Sequence, residues 1–181
     1  MIGYAMCGSF CTLKKSLETM KELRKIGYEI EPIMSEIVYT SDTRFGTCEF
    51  WKEEVKKLCN REIIHTVIDA EPIGPKNYLD LLIIAPCTGN TLAKMANGIT
   101  DTAVTMAAKA QLRANKPVLI ALASNDALSA NLQNIALMRQ KKNVFFANSK
   151  MDDPIGKPHS LVAEFTDIPL IIPRILEQYK K

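Results

Sequence analysis

One stretch constrains this chain more than any other. Residues 79–85 read Leu-Asp-Leu-Leu-Ile-Ile-Ala and stop at Pro86. A strand that alternates apolar and polar residues buries one face, whereas a short continuous apolar run buries both. A strand buried on both faces belongs inside a parallel sheet with helices packed on either side. Two more runs read the same way, Ile2–Cys7 and Pro117–Ala123. Between the first two, Leu13, Leu17, Met20, Leu23 and Ile26 recur at helical spacing, with Thr12 placed to cap the helix and Gly27 to end it. Strand alternating with helix predicts an α/β fold, Rossmann-like or flavodoxin-like, with a parallel sheet and helices on both faces. The 181 residues suit one domain, 1–181.

The other segments fill in around these strands. Tyr28–Met34 is a second strand, and Pro32 points to an edge or an irregularity there. Residues 36–50 are polar and turn-rich and read as a long loop, followed by a helix over Phe50–Cys59. Thr66-Val67-Ile68 reads as part of a strand, and Glu71–Lys76 as a loop. Asn90–Asn97 and Thr102–Arg113 read as helices, and Asp126 as the cap of a helix running to about Lys142. Val144–Ala147 is the last strand, Met151–His159 a loop, and Leu161–Lys181 helical in pieces broken by Pro169 and Pro173.

Composition excludes several classes of function. The net charge of +3 is spread along the chain, which argues against nucleic acid as a partner. No apolar run reaches the roughly 18 residues of a membrane span. Met1–Met6 has no basic segment and leads into a turn, unlike a secretory signal. The five cysteines contain no Cys-x-x-Cys pair, so reduced thiols in a cytoplasmic protein are expected. The two histidines, His65 and His159, lie apart from the cysteines in sequence, so no metal site is expected.

In an open parallel sheet, ligands bind beyond the carboxyl ends of the strands. Four loops of this chain stand there: Cys7-Gly8-Ser9 after the first strand, Ser35 after the second, Pro86-Cys87-Thr88-Gly89-Asn90-Thr91 after the third, and Ser124-Asn125-Asp126 after the fourth. Singly, Gly8-Ser9 is also a turn and cap, and Ser35 a helix cap. Together they place small residues, hydroxyls and helix N-termini around one point, which suits a phosphate. The chain has neither Gly-x-x-x-x-Gly-Lys-Ser/Thr nor Gly-x-Gly-x-x-Gly, so a mononucleotide such as FMN fits better than ATP or a dinucleotide.

The series Gly8-Ser9, Ser35 and Pro86-x-Thr88-x-Asn90-Thr91-x-x-Lys94-x-Ala96-x-Gly98-x-x-Asp101 resembles the flavoprotein family of homo-oligomeric flavin-containing cysteine decarboxylases, which includes flavin prenyltransferases. The resemblance implies a homo-oligomer. It also implies FMN contacts at Gly8, Ser9, Ser35, Thr88, Asn90 and Thr91, and Asn125 near a reacting carboxylate. Thr43-Arg44-Phe45-Gly46, Ala70–Lys76, Lys109-Ala110-x-Leu112-Arg113 and Ser124–Leu128 resemble one branch of the family. In that branch the chain is half of a two-component NADP-linked oxidoreductase for a dihydropyridine dicarboxylate, and the partner carries the nicotinamide fold. Arg44 is then a candidate carboxylate clamp, because guanidinium pairs with carboxylate in a bidentate fork. Lys94 and Arg113 read as surface or oligomer contacts, and Lys157 and His159 lie in a loop able to close over the site. The chain departs from the decarboxylases in having no histidine in residues 36–50; His65 comes next in the chain. A stand-alone FMN-dependent decarboxylase and a non-catalytic scaffold for the partner remain open as alternatives.

Overall fold

A computed structural model describes residues 1–179. The apolar runs form its sheet. Five strands lie parallel: β1 (Ile2–Met6), β2 (Ile30–Met34), β3 (Leu81–Cys87), β4 (Val118–Ser124) and β5 (Val144–Phe146), in the order β2-β1-β3-β4-β5. This is a flavodoxin-like arrangement, and its strand order reverses between β1 and β3. Every residue of β1, β3 and β4 is buried, as continuous apolar runs require. Strand β2 lies at the edge, where the missing N–H of Pro32 costs least.

Side chains alternate between the faces and divide the core in two. Tyr4, Met6, Ile83 and Leu119 meet α1 (Leu13–Ile26), α3 (Cys48–Cys59) and α9 (Ile168–Glu177) on one face. The short helix α2 (Glu36–Thr40) leads from β2 toward α3. Ala5, Ile84 and Ile120 meet α5 (Ile73–Lys76), α6 (Gly89–Ala96), α7 (Ala103–Arg113) and α8 (Leu132–Arg139) on the other, with the one-turn helix α4 (Val67–Ala70) beside α7. Helix α1 ends at Gly27 in a left-handed conformation (φ 102°), as the sequence predicts. Thr12 stands at the other end of α1, but its hydroxyl donates to the Ser9 carbonyl rather than capping the helix. Buried Ser16 of α1 donates its hydroxyl to the Ala85 carbonyl at 2.5 Å, and the Tyr4 hydroxyl donates to the Ser16 carbonyl at 3.1 Å, tying the helix to the sheet.

The structure corrects several expectations. Residues 149–163, read largely as loop, contain a hairpin of β6 (Ser149–Asp153) and β7 (Lys157–Ala163). β7 joins the carboxyl end of β4 in antiparallel register (Ala123 with Val162, Ser124 with Leu161), beyond the stretch of β4 paired with β5. All of β6 is exposed, so no apolar alternation marks it. Thr66-Val67-Ile68 is not a strand: Thr66 accepts the Asp69 N–H and caps α4, and Ile64 supplies the single bridge to β2. Helices α2 and α5 and the start of α3 occupy segments read as loop. Asp126 does not cap a long helix: its carbonyl accepts the Ser129 and Asn131 N–H groups in turns, and α8 begins only at Leu132. Helix α9 is continuous through Pro173, with Pro169 in its first turn where a missing N–H is harmless. Lys180 and Lys181, at the end of the last segment, lie outside the described residues.

Leu119 of β4 is fully buried. Leu119→Ala is expected to lower the unfolding free energy by about 3 kcal/mol, read as a reduced urea midpoint at unchanged slope.

Candidate functional site

The carboxyl ends of β1 and β3 flank the point where the strand order reverses, the place where such sheets leave a crevice for a ligand. After β1 the chain turns tightly: Ser9 N–H donates to the Cys7 carbonyl at 2.8 Å, and Thr12 N–H to the Ser9 carbonyl at 3.0 Å. A Cβ at Gly8 would lie 2.8 Å from Ile37 Cγ2, so only glycine lets α2 settle on this turn. After β2, Ser35 N–H donates to the Met6 carbonyl, which holds the start of α2 beside the first loop. The Ser35 hydroxyl is buried and has no hydrogen-bond partner among the described residues.

After β3, Thr88 caps α6: its hydroxyl accepts the Thr91 N–H at 3.2 Å and donates to the Thr91 hydroxyl at 3.1 Å. Thr91 in turn donates to Cys7 Sγ at 3.4 Å, linking the β3 and β1 loops. Both threonine hydroxyls are therefore engaged within the protein. The donors this turn presents outward are the first-turn amides of Gly89 and Asn90, which have no intrahelical acceptor. The positive end of α6 faces this turn, and the Asp126 carboxyl lies behind its first residue. Cys7 and Cys87 do not add thiolate charge: burial pushes the Cys7 thiol up to about 11, against the Thr91 hydrogen bond, and raises that of Cys87 well above the usual range.

A network not foreseen from the sequence lies behind α6, with Ser124, Asn131 and Asn134 buried and Asp126 half-buried. Asp126 Oδ1 accepts from Ser124 Oγ at 2.5 Å and from Asn131 Nδ2 at 2.9 Å, and Asn131 Oδ1 accepts from Asn134 Nδ2 at 2.9 Å. The Ser124 hydroxyl and the Asn131 amide hold the Asp126 carboxyl below the ordinary carboxylate range. Gly89 packs directly on this network, and a Cβ there would meet Ser124 Oγ and Asn131 Nδ2 at 2.5 Å. The only sequence signal was Asn131 and Asn134 at a spacing of three, which places them on one helix face.

The structure thus gathers Gly8, Ser9, Ser35, Thr88, Asn90 and Thr91 at one sheet edge. An unpartnered hydroxyl, free helix amides and two turns too tight for a Cβ fit the phosphate end of a mononucleotide such as FMN. Asn125 is exposed at the tip of the β4 loop, its Oδ1 3.5 Å from Ser160 Oγ of β7. Arg44 is exposed in a hairpin turn, its guanidinium 4.9 Å above the Phe45 ring. His65 lies in the loop before α4 and stacks on Tyr39, ring centroids 3.7 Å apart. Lys94 is paired with Asp101 at 2.8 Å and Lys157 with Asp152 at 2.9 Å. A groove of about 780 Å³ between α1 and the β6–β7 hairpin has none of the strand-end residues in its wall. Among the described residues no helix is long and apolar enough to cross a membrane, and no cluster of three His, Cys, Asp or Glu side chains suits a metal ion.

Strand order and core define a flavodoxin-like α/β protein. Within that class the chain belongs to the Flavoprotein family, whose model matches residues 1–176. It is 40% identical to the B subunit of dipicolinate synthase from Bacillus subtilis, over 97% of this chain and 88% of the relative. It superimposes on the crystal structure of the Bacillus halodurans dipicolinate synthase B subunit with a TM-score of 0.88 and 39% identity, covering 97% and 90% of the two chains. Burkholderia xenovorans DmrB, solved in complex with FMN, shares the fold at a TM-score of 0.73 and 16% identity, over 98% of this chain and 96% of its own.

Because the folded pKa of Asp126 is depressed, its contribution to stability is complete at neutral pH. That contribution is lost as pH falls below the unfolded value of about 4 and through the lower folded one. The urea midpoint is expected to fall more steeply from about pH 5 to about pH 3 in the unmodified chain than in Asp126→Asn; parallel curves would remove Asp126 from the network.

Proposed function

We propose that this chain is the B subunit of a two-component dipicolinate synthase. The pair would oxidise dihydrodipicolinate to dipicolinate with NADP, in the mother-cell cytoplasm of a sporulating bacterium. The observation that carries this reading is 40% identity to a dipicolinate synthase B subunit along 97% of the chain. The partner, the A subunit of dipicolinate synthase, would supply the NADP site, which agrees with the absence of Gly-x-Gly-x-x-Gly here.

Oxidation of the dihydropyridine ring removes one hydride and one proton. The hydride passes to NADP on the partner and the proton to solvent, and aromatisation favours the product. The work left to this chain is to hold and orient a planar dicarboxylate. Arg44 would bind one carboxylate and Asn125 would stand near the other. The Gly8-Ser9 turn, the Ser35 hydroxyl and the first turn of α6 from Thr88 through Asn90 to Thr91 would seat the phosphate and ribityl chain of FMN. When bound, FMN supplies a two-electron carrier that takes up or releases hydride.

A second reading is an FMN-dependent decarboxylase acting alone. It is favoured by 26% identity over 84% of the chain to a putative phosphopantothenoylcysteine decarboxylase of Dictyostelium discoideum. A third is a scaffold that only supports the NADP-binding partner, in a homo-oligomeric assembly.

Dipicolinate formation, followed with the partner alone, this chain alone and the two mixed, separates them. Activity is expected only in the mixture. Full activity from the partner alone would refute a catalytic role here and leave the scaffold, and carbon dioxide release by this chain with FMN alone would favour the decarboxylase.

A further inference from the structure

Trp51 is the single tryptophan of the chain and is 3% exposed on α3. Its Nε1–H is buried and has no acceptor among the described residues. A buried N–H without a partner is uncommon and is retained where something else answers to it. Over this indole lies a two-residue turn. Thr43 and Gly46 exchange backbone hydrogen bonds, both at 3.1 Å, and Phe45 N–H donates to the Thr43 hydroxyl at 3.2 Å. Gly46 has φ +140°, and a Cβ there would stand 2.9 Å from Trp51 Nε1. Glycine is thus required twice, by its backbone conformation and by its contact with the indole.

The tip of the hairpin faces solvent. Arg44 and Phe45, its two tip residues, are both exposed. The acids beside it are already engaged: Asp42 accepts the Cys48 N–H at 2.8 Å, and Glu49 pairs with Lys52 at 2.7 Å. Arg44 has no acidic partner within 4.0 Å among the described residues, and its guanidinium is held only by the face of the Phe45 ring. One side of this hairpin therefore carries an unpaired planar cation, and the other covers an unpaired indole N–H. Brought to one side by a shift of the hairpin, the two would complement a carboxylate attached to a flat ring, which presents two coplanar oxygens and an apolar face.

We propose that the Thr43–Gly46 hairpin and Trp51 form the seat of one substrate carboxylate: the hairpin shifts about Gly46, Arg44 takes the carboxylate, and the indole N–H of Trp51 gains a carboxylate oxygen as acceptor. This deepens the reading of the chain as part of an enzyme for a pyridine dicarboxylate and rests on it. Trp51 is a binding and positioning residue, not a group that reacts.

Tryptophan emission reports on this one site in the isolated full chain. Titration with dipicolinate is expected to shift or quench it saturably, with picolinate, which has one carboxylate, binding more weakly. Arg44→Gln, at an exposed position, is expected to raise the dipicolinate Kd by about tenfold or more. In the complex with the NADP-binding partner, Arg44→Gln and Trp51→Phe are each expected to raise the KM for dihydrodipicolinate by about tenfold, well beyond any fall in kcat. Emission indifferent to dipicolinate, together with unchanged KM in both variants of an active complex, would overturn the proposal. If the unmodified complex were inactive, the two-component reading would fail. An Arg44-dependent response of Trp51 to dipicolinate would still support the carboxylate seat, and its absence would sink that too.

Discussion

The close approach that organises this molecule is the seating of α6 on the loop after β4. Gly89 touches the hydroxyl of Ser124 and the amide of Asn131, where a single methyl group would not fit. That contact fixes the direction of α6, and so where its free amides point. Asp126 makes the contact rigid from behind, because its carboxylate binds both groups on which Gly89 rests. Ser124, Asn131 and Asn134 are buried, and the hydrogen bonds run in one continuous series through Asp126, an arrangement in which polar groups specify a geometry.

The chemistry of the site follows from what this packing leaves over. The Thr88 and Thr91 hydroxyls are consumed in building the turn and joining it to Cys7. Helix amides and the Ser35 hydroxyl remain. Such a site binds an anion through dipoles and hydrogen bonds, with no lysine or arginine shown at its centre. Arg44, on the exposed tip of its hairpin, has no acidic partner within 4.0 Å among the described residues.

Much of this was legible in the sequence because burial on both faces leaves a continuous apolar run. Leu79–Ala85, Ile2–Cys7 and Pro117–Ala123 announced the parallel sheet, and the sheet announced which loops would meet. Gly27 and the register of Leu13, Leu17 and Met20 announced α1. Strands β6 and β7 were hidden because Lys150, Asp152, Asp153 and Lys157 face solvent, and pairing with β4 rather than burial makes them strands. Thr66-Val67-Ile68 misled because β-branched residues favour strands, while a Thr66 cap and tertiary packing decided for a helix. The Asp126–Asn131–Asn134 series and the meeting of Gly46 with Trp51 were invisible for a different reason. Each joins residues whose contact depends on side-chain direction, and no periodicity records that.

The phosphate cradle is tested most directly by comparing FMN with riboflavin, which has the same ring and ribityl chain without the phosphate. Flavin fluorescence, titrated with this chain, gives both dissociation constants. FMN is expected to bind about a hundredfold more tightly, the worth of two charge-assisted hydrogen bonds to helix amides and the Ser35 hydroxyl. Equal affinities, or no binding of either, would contradict a phosphate site at the ends of β1 and β3.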